Sequence, residues 1–138
     1  MTVRKKKYKP KLFESTGTSN DTSANIYHSM MISPAFKNMT KNQRLLYICM
    51  KDRFYGQRKP GLDYPDIDGL QGDDKFYFNF ALAEEYGLYT KGNKQSLYND
   101  IKELEKHGFI KTLSNGKSTH SRSIYQYVKD WQTWKSGN

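Results

Sequence analysis

The sequence predicts an α+β fold in which short helices precede, interrupt and follow a small antiparallel sheet. Three observations carry that expectation. Leu97, Ile101 and Leu104 recur four and three residues apart, the spacing of one helix face. Two runs rich in strand-forming residues, 109–114 and 122–128, flank Asn115-Gly116, a pair that tolerates the positive φ of a tight hairpin. Stop and start signals for helices punctuate the chain before them.

Residues 1–22 fall outside the folded part. Arg4, Lys5, Lys6, Lys7, Lys9 and Lys11 place six positive charges within eight residues, and the stretch after Glu14 is Ser, Thr, Gly and Asn with little to bury. Such a segment cannot offset its ordering entropy, so a basic arm disordered in the free protein is expected. It could lie along phosphates or enter a minor groove, as basic arms of some helix-turn-helix proteins do, or simply solubilise the chain.

Residues 23–138 are expected to form one domain. In Ser33-Pro34-Ala35-Phe36 an N-cap residue precedes a proline at the first helical position. Thr40 starts a longer helix, with Gln43 three residues on completing a capping-box pattern. Leu45, Ile48 and Cys49, with Leu46 beside them, are expected as its apolar stripe, and the helix should end before Gly56.

Residues 56–74 read as a polar loop holding Asp63, Asp66, Asp68, Asp73 and Asp74. Carboxylates this dense raise the possibility of a calcium loop. With Gly69 at the sixth position, however, Tyr64 falls at the first and Lys75 at the twelfth, where an EF-hand needs oxygen ligands. The pattern fails, and an acidic loop repelled by polyanions is the better account.

Phe76-Tyr77-Phe78-Asn79-Phe80 reads as a short strand. A compact helix over residues 82–86 should stop at Gly87, a turn should follow, and Asn93 should cap the helix over 94–107. Opposite its apolar stripe that helix carries Lys94, Gln95, Tyr98, Asn99 and Lys102, with Glu103 and Glu105 nearer its end. Any amphipathic surface helix has polar residues outside, but Asn and Gln can pair bidentately with adenine and Lys can reach guanine or phosphate. Gly108 ends the helix. The hairpin that follows carries Lys117, His120 and Arg122 at its tip. Strand, two helices and a basic-tipped hairpin, in that order, constitute a winged helix-turn-helix. A scaffolding role for the hairpin is the alternative to phosphate contact. Trp131 and Trp134 suit one face of a short C-terminal helix covering the core near the first helices.

The totals agree. Twenty-three Lys and Arg against fourteen acids give a net charge of +9, which calls for a polyanionic partner. The single cysteine, Cys49, allows no disulfide within the chain and suits a reducing compartment, as a buried and inert thiol. The longest apolar run, 45–50, is far short of the ~20 residues of a membrane span. No apolar segment follows the basic N-terminus, so no secretory signal and no membrane partner are expected, and the expected compartment is the cytoplasm.

Catalysis is not expected. His28, His107 and His120 are isolated, without the His-x-His pair of nicking relaxases, and 138 residues are too few for a tyrosine recombinase. No zinc spacing, phosphate-cradling glycine loop or Ser/Cys nucleophile arrangement appears, so neither a metal nor a cofactor is expected.

Residues 31–128 resemble winged-helix proteins carried by plasmids, phages and integrative elements of Gram-positive bacteria. The resemblance lies in Ser33-Pro34-Ala35-Phe36, Leu45-Leu46-Tyr47, Phe76-Tyr77-Phe78, Ala83-Glu84-Glu85-Tyr86-Gly87-Leu88 and the run from Ile101 through Leu104, Glu105, Gly108 and Phe109 to Ile110. It implies an accessory or regulatory factor in replication, conjugative transfer or transcription of a mobile genetic element, with double-stranded DNA as partner. Gln95, Tyr98 and Asn99 would read bases. Lys94, Lys102, Lys117 and Arg122 would hold phosphate, with His120 at the hairpin tip and Arg4, Lys5, Lys6 and Lys7 of the arm as further candidates for DNA contact. RNA is the poorer fit, because the deep A-form major groove excludes a helix. One recognition helix reads few base pairs, so a homodimer or repeated sites would accompany specific binding. A winged helix used for contacts within a nucleoprotein complex is the rival.

Overall fold

The computed structural model describes residues 12–14, 24–53, 75–114 and 124–136. The fold is α+β. Helices α1 (His28–Met31), α2 (Pro34–Asn38) and α3 (Lys41–Lys51) precede strand β1 (Lys75–Tyr77); α4 (Phe80–Glu85) and α5 (Lys94–Lys106) follow, then β2 (Ile110–Ser114), β3 (Ile124–Tyr127) and a 3-10 helix, Asp130–Thr133. Within the stretch read as an arm, Leu12–Glu14 forms a 3-10 turn with Leu12 and Phe13 exposed.

The caps of α2 and α3 behave as the sequence predicts. The Ser33 hydroxyl accepts from the Phe36 amide, with Pro34 at the first helical position. At α3 the Gln43 amide donates to Thr40 Oγ1 at 3.2 Å while Gln43 Oε1 accepts from the Thr40 amide at 3.0 Å. The expected apolar stripe of α3 is not its buried one. Gln43, Leu46, Tyr47 and Met50 face the core; Leu45 stays 49% exposed, and Ile48 and Cys49 are half-buried. The physical reason is size: at the same helical spacing, Leu46, Tyr47 and Met50 bury more apolar surface than Leu45, Ile48 and Cys49 can.

The strand expected over 76–80 is shorter. Phe76, Tyr77 and Phe78 are all buried rather than alternating, and Asn79 accepts from the Leu82 amide at 2.8 Å, so α4 begins at Phe80. An N-cap bond of this kind outweighs one more aromatic in a strand.

The sheet is antiparallel in the order β1-β3-β2, with Phe76 opposite Tyr125 and Thr112 opposite the same residue on the other edge. The register shifts between Thr112 and Ser114, a bulge in β2. Phe109 sits at the centre of the core. Tyr47 lies 5.0 Å from its ring, Phe36 meets it edge-on at 6.1 Å and Trp131 stacks on it at 5.9 Å. Trp131 and Trp134 thus cover the core beside α2, Trp134 stacking on buried His107 at 4.8 Å.

Gly108 joins α5 to β2 at φ +83°, and a Cβ there would lie 2.6 Å from the backbone of Asp130 and Trp131. Both conformation and space require glycine. Trp131 donates its amide to the Gly108 carbonyl at 2.9 Å, which seats the C-terminal turn directly on the end of α5.

Candidate functional site

The outward face of α5 is the most concentrated group of potential recognition residues. Leu97, Ile101 and Leu104 are buried, as their spacing predicts, and turn Lys94, Gln95, Tyr98, Asn99 and Lys102 to the exterior, all of them exposed. Every α5 residue expected to contact DNA therefore lies on one side of one helix. Gln95 Nε2 donates to Asn99 Oδ1 at 3.0 Å, one turn away. That bond engages one donor and one acceptor and leaves the Gln95 carbonyl and the Asn99 N–H groups to pair elsewhere. Lys94 leans back over the Phe80 ring, its Nζ 5.8 Å from the centroid.

The first turn of α5 contains no acidic residue. Asn93 is the N-cap by position, as expected, yet its side chain makes no cap bond; Nδ2 donates instead to Thr90 Oγ1 at 2.7 Å. Glycines at positive φ, Gly87 and Gly92, bracket the turn between α4 and α5. Buried Tyr89 pins it from inside.

Asp100, the one carboxylate in the first half of α5, is withdrawn from the outward face. Its Oδ2 accepts from the Tyr89 hydroxyl at 2.6 Å and from Asn42 Nδ2 at 3.0 Å, and its Oδ1 accepts from Gln43 Nε2 at 3.1 Å. Burial, then the bond to Asp100, holds the Tyr89 hydroxyl well above the ordinary tyrosine range, so it stays a donor. This junction ties α3, the turn and α5 together, and it removes a negative charge from the surface that Lys94 and Lys102 make positive. Sequence reasoning missed it: Asn42, Tyr89 and Asp100 come from three segments. The only hint was an acid placed beside an apolar stripe.

His107 closes the far end of the helix. Its Nδ1 lies 2.7 Å from the Glu103 carbonyl and its Nε2 lies 2.8 Å from Asn38 Nδ2. Burial and the Asp52 carboxylate push the half-buried Cys49 thiol up to about 11, so it carries little thiolate at neutral pH and is a poor nucleophile.

Lys117, His120 and Arg122 of the hairpin tip, Arg4, Lys5, Lys6 and Lys7 of the arm and the acidic segment 56–74 lie outside the described residues. Among the described residues no His, Cys, Asp and Glu cluster is placed to hold a metal ion, and no helix is long and apolar enough to cross a membrane. No protein-family model matches the chain, and comparison with curated proteins and with solved structures also returned no match.

Proposed function

We propose that the chain is a winged helix-turn-helix protein that binds double-stranded DNA, with α5 as the recognition helix and the β2–β3 hairpin as the wing. The observation that carries this is the division of α5. Its exterior gathers Lys94, Gln95, Tyr98, Asn99 and Lys102, while half-buried Asp100 is bonded to Tyr89, Asn42 and Gln43 on the side facing α3. A helix entering a major groove with its N-terminal half needs that combination there: amides to pair with base edges, cations for phosphate, and no fully exposed carboxylate in its first two turns, Glu103 and Glu105 lying nearer the far end. The strand order β1-β3-β2, with a helix pair between β1 and β2, supports the same assignment, as does the net charge of +9. The protein acts without catalysis, as an accessory or regulatory factor in the replication, transfer or transcription of a mobile genetic element, a role supported by the family resemblance of residues 31–128.

Quantitative gel-shift on duplex fragments from the locus that encodes the chain tests the proposal. Binding should weaken steeply with salt, with a log–log slope near −0.9 for each phosphate contacted. Gln95→Ala or Asn99→Ala should cost about 1–3 kcal/mol on the preferred fragment and little on random duplex. No binding at low salt on any fragment would sink the DNA assignment. Equal losses on both kinds of duplex would remove base reading by α5 and leave only backbone contact.

A further inference from the structure

A second surface lies on α3, on the side away from α5. Leu45 and Ile48, which the sequence suggested as core, instead form one wall of an open groove of about 370 Å³, completed by Ile26, Met31 and Phe36. Met31 and Leu45 are each about half exposed, 51% and 49%. Helix α3 is therefore apolar on two opposite sides, and among the described residues the core packs on the Leu46, Tyr47 and Met50 side.

The groove is edged by cations. Lys41 and Arg44 line it, and Arg44 is held in place: Nε donates to the Met39 carbonyl at 3.1 Å, Nη2 to the Lys37 carbonyl at 2.7 Å, and the guanidinium stands over the Phe36 ring at 5.5 Å. Two of its five N–H donors are used in these bonds, so a fixed, already oriented charge borders the apolar floor. Residues 24–51 contain Lys37, Lys41, Arg44 and Lys51 and no Asp or Glu.

We propose that this groove docks an acidic amphipathic helix of another protein, with apolar anchors at i, i+3 or i+4 and i+7 on Ile26, Met31, Leu45 and Ile48, and Asp or Glu beside them meeting Lys41 and Arg44. The charges select this occupant. A second copy docked face to face, groove against groove, would bring the same cations against one another, with no carboxylate in 24–51 to relieve them. Phosphates gain nothing from an apolar floor, and a concave groove suits the edge of a helix better than a flat bilayer. The site is independent of α5, so its fate and that of the DNA assignment separate.

The test is a displayed library of helical peptides, randomised at both anchor and flanking positions and selected on the full chain, with counter-selection on Met31→Gln/Leu45→Gln. Both positions are half exposed, and circular dichroism and thermal melting check that the double variant folds; Leu45→Gln alone serves if it does not. Enriched peptides should combine Leu, Ile, Phe or Met at helical spacing with Asp or Glu, lose at least ~10-fold in affinity to the double variant, and weaken with salt. Lys41→Glu should shift the selected flanks toward Lys and Arg. No enrichment above counter-selection, or enrichment without acidic bias, overturns the proposal. A dimer seen in sedimentation that Leu45→Gln abolishes would assign the groove to a second copy and also overturn it. So would binding to phosphatidylglycerol vesicles that the double variant loses.

Discussion

Helices α3 and α5 meet at one partly buried polar junction and then diverge in what they show the exterior. Inward, both follow the same rule: large apolar side chains at helical spacing and polar groups that bond each other, Gln43 and Asn42 on one helix and Asp100 on the other. Outward, α5 presents Gln95, Tyr98, Asn99 and Lys102, whereas α3 presents Leu45 and Ile48 edged by Lys41 and Arg44. An inward face is dictated by the fold. An outward face with a composition the fold does not need points to what the molecule meets, and here the two outward faces suit different partners.

The sharpest way to break the comparison is at the shared junction. Asp100→Ala leaves the Tyr89 hydroxyl and the Asn42 and Gln43 amides without their acceptor, and should cost about 2–3 kcal/mol in urea unfolding. A smaller loss, within the ~0.5 kcal/mol of an ordinary surface change, would mean that apolar packing alone holds α5 on α3. Gln43→Glu separates two roles of one side chain. A glutamate at the third position of a helix suits both a capping box and the helix dipole, so an isolated α3 should gain from it. In the protein it loses the donor to Asp100 and sets two carboxylates together, and a net loss of about 1–2 kcal/mol is expected. Raising the acidity should soften that loss as one of the two carboxylates takes a proton, which unfolding curves at two pH values would show. On the outward faces, Asn99→Ala and Leu45→Gln should each leave stability within ~0.5 kcal/mol, since neither residue is buried. Melting shifts larger than this would show that these faces serve the fold after all.

The fold was legible where its cause is local. Ser33 and the Thr40–Gln43 pair announce their helices because a cap is decided within three residues, and the α5 stripe because Leu97, Ile101 and Leu104 have no competitor on that helix. The α3 stripe was misread because two sets of residues share its periodicity, and only tertiary packing decides between Leu45 with Ile48 and Leu46 with Tyr47. Phe80 looked like strand because an aromatic favours a sheet; the Asn79 cap two residues after β1 decided otherwise. Of the candidate site, the outward residues of α5 followed from the stripe by elimination. The Asp100 junction did not, since hydrogen bonds between segments 11 to 58 positions apart leave no periodic trace.

The order of the strands also governs how the chain assembles. Tyr125 of the central strand pairs with Thr112, 13 positions before it, and with Phe76, 49 positions before it (125 − 112 and 125 − 76). For an unstructured chain the longer closure costs about 1 kcal/mol more entropy, so the β2–β3 ladder has the head start. Docking α4 and α5 first shortens the distance that β1 must bridge, which makes β1 the last strand to join and the first to leave. Native-state hydrogen exchange should find the amides of β1 opening at lower free energy than those of β2 and β3. The strand that leads into α4 through the Asn79 cap is then the latch of the sheet, and releasing it loosens the helix pair without unpairing the hairpin.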